Sequence, residues 1–253
     1  MTARLAKILS SLVVAAMTVA CSGYYEIPIE TPIRPKLDVS AFQRVLVAGF
    51  IAGGTEDVDG NLETTRLLRS QLRTKSEMRV IDSDVLPLMD VATESRVASG
   101  TAAGDTSPGA IREDEDLEPY EHLFADVEYW KRIGEEYQQP LIVTGTVMFA
   151  PQARSGIVQR DQEVYDSFGR RRVVPVRTYM ERKGFVLKPR FIFIDGRTGA
   201  VLHSENFREE ILYNANQTSP ALSSYFELMD RLIPSFLSTL SSQKIKGTRV
   251  LLQ

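Results

Sequence analysis

Side chains that could carry chemistry are sparse in this sequence of 253 residues. The two histidines, His122 and His203, lie in no H-E-x-x-H or similar metal-ligating spacing, and no G-x-S-x-G nucleophile elbow occurs. Cys21 is the one cysteine, and if it is acylated no thiol is left for a disulfide or for nucleophilic catalysis. We therefore expect a protein that is not an enzyme and that uses no cofactor and no metal.

Three further patterns have a chemical and a structural interpretation. Gly49, Gly53 and Gly54 follow an apolar run, but they fit neither G-x-G-x-x-G nor G-K-[S/T], so we predict a strand-to-loop bend rather than a phosphate loop. The acidic run 113–118 predicts a solvated loop rather than a metal site, because too few ligands are spaced to converge. The segment 195–199 (DGRTG) is typical of a β-turn, although a cation-binding loop would use the same residues.

Cys21 stands at the end of a segment with the features of a signal peptide. Arg4 and Lys7 supply the positive start, and residues 8–20 form an apolar run that is short for a membrane span. Small residues lead directly into the cysteine, which resembles a bacterial lipobox with Thr18 where leucine is usual. The resemblance implies that residues 1–20 are removed and that Cys21 becomes the lipidated first residue. The alternatives are an ordinary signal peptide with a chance cysteine, or a poor membrane helix.

The bulk composition is that of an ordinary folded protein. Apolar residues make up 43% and charged residues 25% of the chain, and the net charge of −3 does not favour nucleic-acid binding. Pro28, Pro32 and Pro35 predict an extended, lipidated N-terminal tether over residues 21–40, with a reach of roughly 60 Å. Residues 41–253 suffice for a single domain with a hydrophobic core.

Hydrophobic periodicity predicts the elements of that domain. Strands alternate with helices in the first half, hairpins follow, and the last element is an amphipathic helix. This order predicts an α/β (α+β) fold in which three main helices pack on a mixed sheet, with a mobile loop at about 93–119. The predicted strands are 44–51, 78–82, 141–149, 157–165, 173–180, 185–195 and 200–207, and the predicted helices are 62–75, 120–138 and 221–240.

Three short stretches resemble the periplasmic domain of CsgG-like lipoproteins, a group that includes penicillin-binding-protein activators. They are residues 71–84 (QLRTKSEMRVIDSD), 140–148 (PLIVTGTVM) and 191–204 (FIFIDGRTGAVLHS). The resemblance covers about residues 44–240 and rests on structural rather than functional residues. It implies a CsgG-like periplasmic fold, and it raises the expectation of a secretion channel or of cell-wall regulation.

The predicted hairpin around residues 157–180 holds the best candidate contact patch. Arg170, Arg171 and Arg172 at its tip could meet an acidic partner, anionic lipid headgroups or cell-wall carboxylates; the alternative is a solvated tip. More charges lie at its base, at 181–183. A charge facing lipid near the bilayer midplane costs roughly 2–4 kcal/mol, so we expect this hairpin to stay in water rather than to form a CsgG-like pore.

These observations predict an outer-membrane lipoprotein that faces the periplasm and acts as a non-enzymatic interaction or assembly module. Ser22 after the lipidated cysteine resembles the outer-membrane sorting pattern. The expected partners are the membrane, through acyl chains such as palmitate on Cys21, and an envelope protein, with no nucleic acid; homo-oligomerisation is left open. The alternatives are a subunit of a CsgG-like secretion or export channel, and a regulator of cell-wall synthesis that binds a penicillin-binding protein.

Overall fold

The computed structural model describes residues 24–98, 111–165, 167–214, 217 and 219–252. One compact unit spans residues 36–240, and strands β1 and β8 belong to a second unit. The elements in chain order are β1 (Tyr24–Ile33), β2 (Arg44–Gly54), α1 (Gly60–Lys75), β3 (Arg79–Val80), α2 (Leu88–Ala98), a 3₁₀ helix (Asp114–Ala125), α3 (Val127–Glu136), β4 (Leu141–Tyr165), β5 (Arg171–Asp195), β6 (Val201–Asn206), β7 (Glu209–Asn214), α4 (Ala221–Leu240) and β8 (Gln243–Leu252).

The larger unit is built on one mixed β-sheet, which confirms the predicted α/β class. The strand order is β3-β2-β4-β5-β6, and β7 also pairs with β5. Strand β2 runs parallel to β3 and β4, whereas β4, β5, β6 and β7 pair antiparallel. The parallel part comes from the alternating first half of the sequence, and the antiparallel part comes from the hairpins that follow it.

Two hydrophobic cores lie on the two faces of this sheet, because successive strand residues point to opposite sides. The core on one face packs the sheet against α1 and α4; its sheet residues include Val45, Val47, Leu141, Val143, Phe191 and Phe193. The core on the other face packs the sheet against α2, the 3₁₀ helix and α3; its sheet residues include Leu46, Ala48, Ile142, Met148, Ile192 and Ile194. Both faces are therefore covered, as parallel strands require.

Gly49 lies at a β-bulge in β2, and residues of β2 before and after the bulge contribute to both cores. The register of β2 against β4 shifts between Val47 and Gly49, and Gly49 has a φ of 142° that other residues rarely adopt. After the bulge, Phe50 joins the core that contains Val47. The Phe50 amide donates to Asn61 Oδ1 over 2.7 Å, so the extra residue leaves no unpaired amide there. The glycine is thus structural, and it lies inside a strand rather than in the predicted bend.

The helical segments differ from the sequence prediction between residues 88 and 138. Helix α2 continues to Ala98 and the 3₁₀ helix begins at Asp114, so both ends of the predicted mobile loop at 93–119 are helical. The predicted helix 120–138 is two elements, because Asp126 begins a new helix by accepting the Tyr129 amide over 3.0 Å. Four α-helices and one 3₁₀ helix thus lie within the described ranges, where three main helices were predicted.

Strands β1 and β8 form a two-stranded antiparallel ladder of their own. It pairs Tyr24 with Leu252 at one end and Ile33 with Gln243 at the other. The sequence predicted an extended tether at 21–40 and a single domain over 41–253, whereas the structure places 24–33 in a strand and groups 241–252 with it. Polyproline II and β backbone are both extended, and each strand of a two-stranded ladder has an open edge that tolerates proline, so local sequence does not separate the two structures.

Candidate partner-binding surface

The surface that best fits a binding role is the outer part of the β4–β5 hairpin. Both strands are 25 residues long, but the buried core ends near Phe149 on β4 and Val186 on β5. Strand β7 supports β5 only as far as Arg182. From the pair Ser155–Glu181 to the pair Tyr165–Arg171, the two strands have only each other in the part of the chain that the structure describes. At about 3.4 Å per residue this outer hairpin extends roughly 34 Å.

Cross-strand register gives the outer hairpin two different faces. Register partners lie on the same side, so one face combines Ile157 with Tyr179, which are 73% and 67% exposed, and continues through pairs that mix polar or charged residues with Pro175, Val173 and Tyr165. The opposite face gathers four valines from both strands, together with two arginines, a glutamine and a threonine; its members are Val158, Arg160, Gln162, Val164, Arg172, Val174, Val176 and Thr178. We call this second set the valine face. Inspection of β4 alone does not reveal it, because half of its valines come from β5.

The structure separates the three arginines that the sequence put forward as one patch. Arg170 lies in the tip turn with its guanidinium 5.4 Å from the ring centroid of Phe168, which is 81% exposed. Arg171 forms a 2.5 Å ion pair with Glu163, and Arg172 is the register partner of Val164 on the valine face. Successive strand residues alternate sides, so Arg171 and Arg172 cannot act on one ligand from the same face.

Ion pairs anchor the inner end of the hairpin to the sheet. Arg154 donates to Glu210 of β7 over 2.9 Å, and Arg208 lies 3.6 Å from the same carboxylate. Lys183 and Glu181 also pair, at 3.1 Å, but within β5 itself. These pairs are exposed and each contributes at most about 1 kcal/mol, so they set the direction of the hairpin more than its stability.

The other candidate residues from the sequence have structural roles wherever the structure describes them. His122 Nε2 lies 2.7 Å from Ser95 Oγ and its Nδ1 lies 2.9 Å from the Pro119 carbonyl, which joins α2 to the 3₁₀ helix. Asp116, in the acidic run, accepts the Arg112 and Glu113 amides, and these hydrogen bonds lower its pKa. The segment 195–199 forms the predicted turn, in which the Gly199 amide donates to the Asp195 carbonyl. Cys21 and Ser22 lie outside the described residues.

Two features bear on ligands and membranes more generally. The described ranges hold no group of three or more His, Cys, Asp or Glu residues placed to hold a metal ion. Across the same ranges, no helix is both long enough and apolar enough to cross a bilayer.

Two cavities of the larger unit are lined by several charged side chains. One, of about 280 Å³, lies beside β5. Its cations Lys188 and Arg190 already pair with Asp114 and Glu121, each at 2.5 Å, and its Arg208 lies 3.6 Å from Glu210. The other, of about 640 Å³, opens where β2 and β3 begin and is lined by Arg44, Arg79, Val80, Ile81, Asp82, Glu136, Tyr137 and Gln138. Sequence reasoning missed this second cavity.

Comparison with known proteins gives weak likenesses. No protein family model matches the chain, and no curated protein matches it. Among solved structures, lipoprotein GNA1162 from Neisseria meningitidis aligns at 11% identity over 77% of this chain and 97% of its own, with a TM-score of 0.34. A PelC dodecamer from Paraburkholderia phytofirmans aligns at 16% identity over 87% of this chain and 100% of its own, with a TM-score of 0.35. Scores at this level do not support conclusions about function.

Proposed function

We propose that this chain is a lipid-anchored lipoprotein of the outer membrane whose folded part acts as a non-enzymatic interaction or assembly module in the cell envelope. The anchor is an acylated Cys21, and Ser22 directs the protein to the outer membrane, facing the periplasm. We place the domain with CsgG-like lipoproteins because three of its stretches resemble theirs. Its partner-binding element is the outer β4–β5 hairpin.

The observation that carries this proposal is the exposure of the outer hairpin on both faces. A two-stranded hairpin is only marginally stable in water, and this one leaves Ile157, Tyr179 and Phe168 more than two-thirds exposed. Large exposed apolar groups rimmed by charges are typical of protein interaction sites. A partner that covers the valine face would bury apolar side chains and supply carboxylates for Arg160 and Arg172.

Two alternative functions would use the same hairpin. As a subunit of a secretion or export channel, the chain would use the hairpin to contact further copies of itself. As a regulator of cell-wall synthesis, it would use the hairpin to contact a penicillin-binding protein. The charged residues of the valine face favour a protein partner over lipid, because each charge that faced lipid near the midplane would cost roughly 2–4 kcal/mol.

Site-specific photocrosslinking in cells tests the role of the hairpin. A photoreactive amino acid at Val174, on the valine face, should give a discrete adduct, whereas one at Leu222 of α4, which is comparably exposed, should not. Val158→Thr with Val176→Thr should abolish the adduct while preserving the β-branched shape that strands favour. Val201→Thr, on exposed β6, is the matched control and should leave the adduct unchanged.

The composition of the adduct separates the alternatives. A complex with a second copy of this chain would support the channel subunit, and one with a cell-wall synthase would support the regulator. Crosslinks at Leu222 but not at Val174, or an adduct that survives the valine-to-threonine changes, would contradict a binding role for the hairpin.

A further inference from the structure

Two arginines start neighbouring strands of the sheet side by side. Arg44 and Arg79 are register partners in the parallel pair β2–β3, so their side chains project from the same side of the sheet. This side of the sheet is the one that packs against α3. The next residue on β2, Val45, points to the other side and belongs to the core there. Like charges directly opposite each other on neighbouring strands are destabilising. An anion bound between the two guanidinium groups would relieve this repulsion.

Two carboxylates of the described residues, Asp82 and Glu136, line the same cavity, but neither pairs with Arg44 or Arg79. Neither arginine forms an ion pair within the described ranges; Arg44 instead donates to the side-chain oxygen of Gln138. Asp82, which also lines the cavity, is already held by Arg73 at 2.5 Å. Arg79 is exposed, and its guanidinium keeps five donors for a ligand.

Beside the cavity that these arginines line, the backbone forms an unusual turn. Gln138 and Gln139 have φ angles of 62° and 56°, a left-handed conformation that costs roughly 1–2 kcal/mol for residues other than glycine. The Gln139 amide donates to the Gly134 carbonyl over 2.6 Å and holds this turn at the end of α3. The turn places Gln138 at the junction of the 640 Å³ cavity and an adjoining one of about 300 Å³; both also contain Arg44.

The geometry points to an oxyanion-binding cleft in which Arg44 and Arg79 together take a carboxylate or phosphate group of a polar ligand. Two guanidinium forks side by side can each donate two parallel hydrogen bonds to such a group. Gln138 holds Arg44 in place through its amide oxygen, and Tyr137 lines the wall beyond the arginines. Glu136 and Asp82 lie in the same cavity and accept hydrogen bonds from hydroxyl groups elsewhere on the ligand.

This cleft is distinct from the hairpin and does not depend on its function. The cavity beside β5 offers no comparable site, because its Lys188 and Arg190 pair with carboxylates of the 3₁₀ helix and its Arg208 pairs with Glu210. Among the described residues, the two cavities thus differ in that the larger one is lined by neighbouring arginines without an ion pair.

Calorimetric titration of the full chain tests the inference, with inorganic phosphate and D-glucuronate as probes and D-glucose as the neutral control, at constant ionic strength in chloride. At least one anion should bind with a dissociation constant that Arg79→Gln weakens tenfold or more. Arg66→Gln is the matched control, since Arg66 is an exposed arginine of α1 that is remote from the cavity lining. Phosphate binding alone would indicate a phosphate source, and glucuronate binding alone a carboxylate source.

Thermal unfolding gives a readout that a purely structural arginine would not produce. In chloride without a probe, Arg79→Gln should unfold about 1–3 °C higher than the parent chain, because the repulsion with Arg44 is removed. A saturating probe anion should raise the unfolding temperature of the parent chain and leave that of the variant unchanged. No binding of either anion, equal binding by glucose, or equal affinity in Arg79→Gln would overturn the inference.

Discussion

At the residue scale, Tyr225 shows how a polar side chain is kept in the core between the sheet and α4. It is fully buried, and its ring lies edge-on to Phe149 with centroids 5.1 Å apart. Its hydroxyl donates to the Gly60 carbonyl over 3.3 Å and contacts Thr64 Oγ1 at the start of α1. The hydroxyl therefore ties α4 to α1, and this contact joins two residues far apart in the sequence.

The pKa of Tyr225 leads to a prediction about pH. Burial raises this pKa above its ordinary value of 10.0, and Glu63 and Asp59 add to the rise while the Thr64 hydrogen bond opposes it. The folded protein keeps the proton at a pH where the unfolded chain has lost it. The stabilisation that protonated Tyr225 gives the folded state is therefore fully present below pH 10, and it declines as the pH rises above 10.

We expect Tyr225→Phe to lower the free energy of unfolding by about 1 kcal/mol at pH 8, through the lost hydrogen bonds. The difference in unfolding free energy between the two proteins should shrink toward zero near pH 11. Above pH 10 the parent chain loses about 1.4 kcal/mol of stability per pH unit, and the phenylalanine variant does not. Urea unfolding at both pH values measures this. Tyr165→Phe at the exposed hairpin tip is the control and should change neither value. A pH-independent difference would contradict the assigned cause.

At the element scale, α3 packs backbone to backbone against the β5–β6 turn. A Cβ atom built on Gly134 would lie 1.7 Å from the Gly196 carbonyl oxygen, which is far inside van der Waals contact. Glycine within a helix costs about 1 kcal/mol relative to alanine, so propensity alone would favour alanine at this position. The close approach reverses that preference.

Gly134→Ala should destabilise the protein by about 1–3 kcal/mol, since overpacking outweighs the gain in helix propensity. Thermal or chemical unfolding measures the change. Gly156→Ala on the hairpin is the matched control, because nothing lies within 4 Å of its added Cβ and a strand glycine is itself weakly destabilising. The control should be neutral or slightly stabilising. If Gly134→Ala were stabilising too, the close contact with the turn would not exist in solution.

Elements were predicted well where a single local pattern decides them. The final helix was predicted at 221–240 and is found at Ala221–Leu240, and the hairpin was predicted from its two strands. Strand β7, strand β8 and most of α2 were not predicted. The structure of these segments depends on the elements that they contact as well as on their own periodicity.

At the scale of the whole molecule, the membrane anchor is a prediction from residues 1–22 alone. Globomycin, which blocks lipoprotein signal peptidase, should make the unprocessed precursor accumulate in cells. Cys21→Ser should likewise prevent acylation and release the folded part from the membrane fraction. Immunoblotting of fractions and mass spectrometry of the N-terminus measure both effects. Mature protein in the periplasmic fraction despite globomycin would contradict the anchor.

The sequence by itself determined the α/β class, the positions of the main strands and helices, and the residues from which an anchor is predicted. Each of these follows from local composition or from a period of two or 3.6 residues. Only the tertiary structure decided that 24–33 pairs with 243–252, that four valines share one hairpin face, and that Arg44 lies beside Arg79. Strand register is a long-range choice between backbones that present similar hydrogen-bonding groups, so the pairing depends on the packed fold rather than on either segment alone.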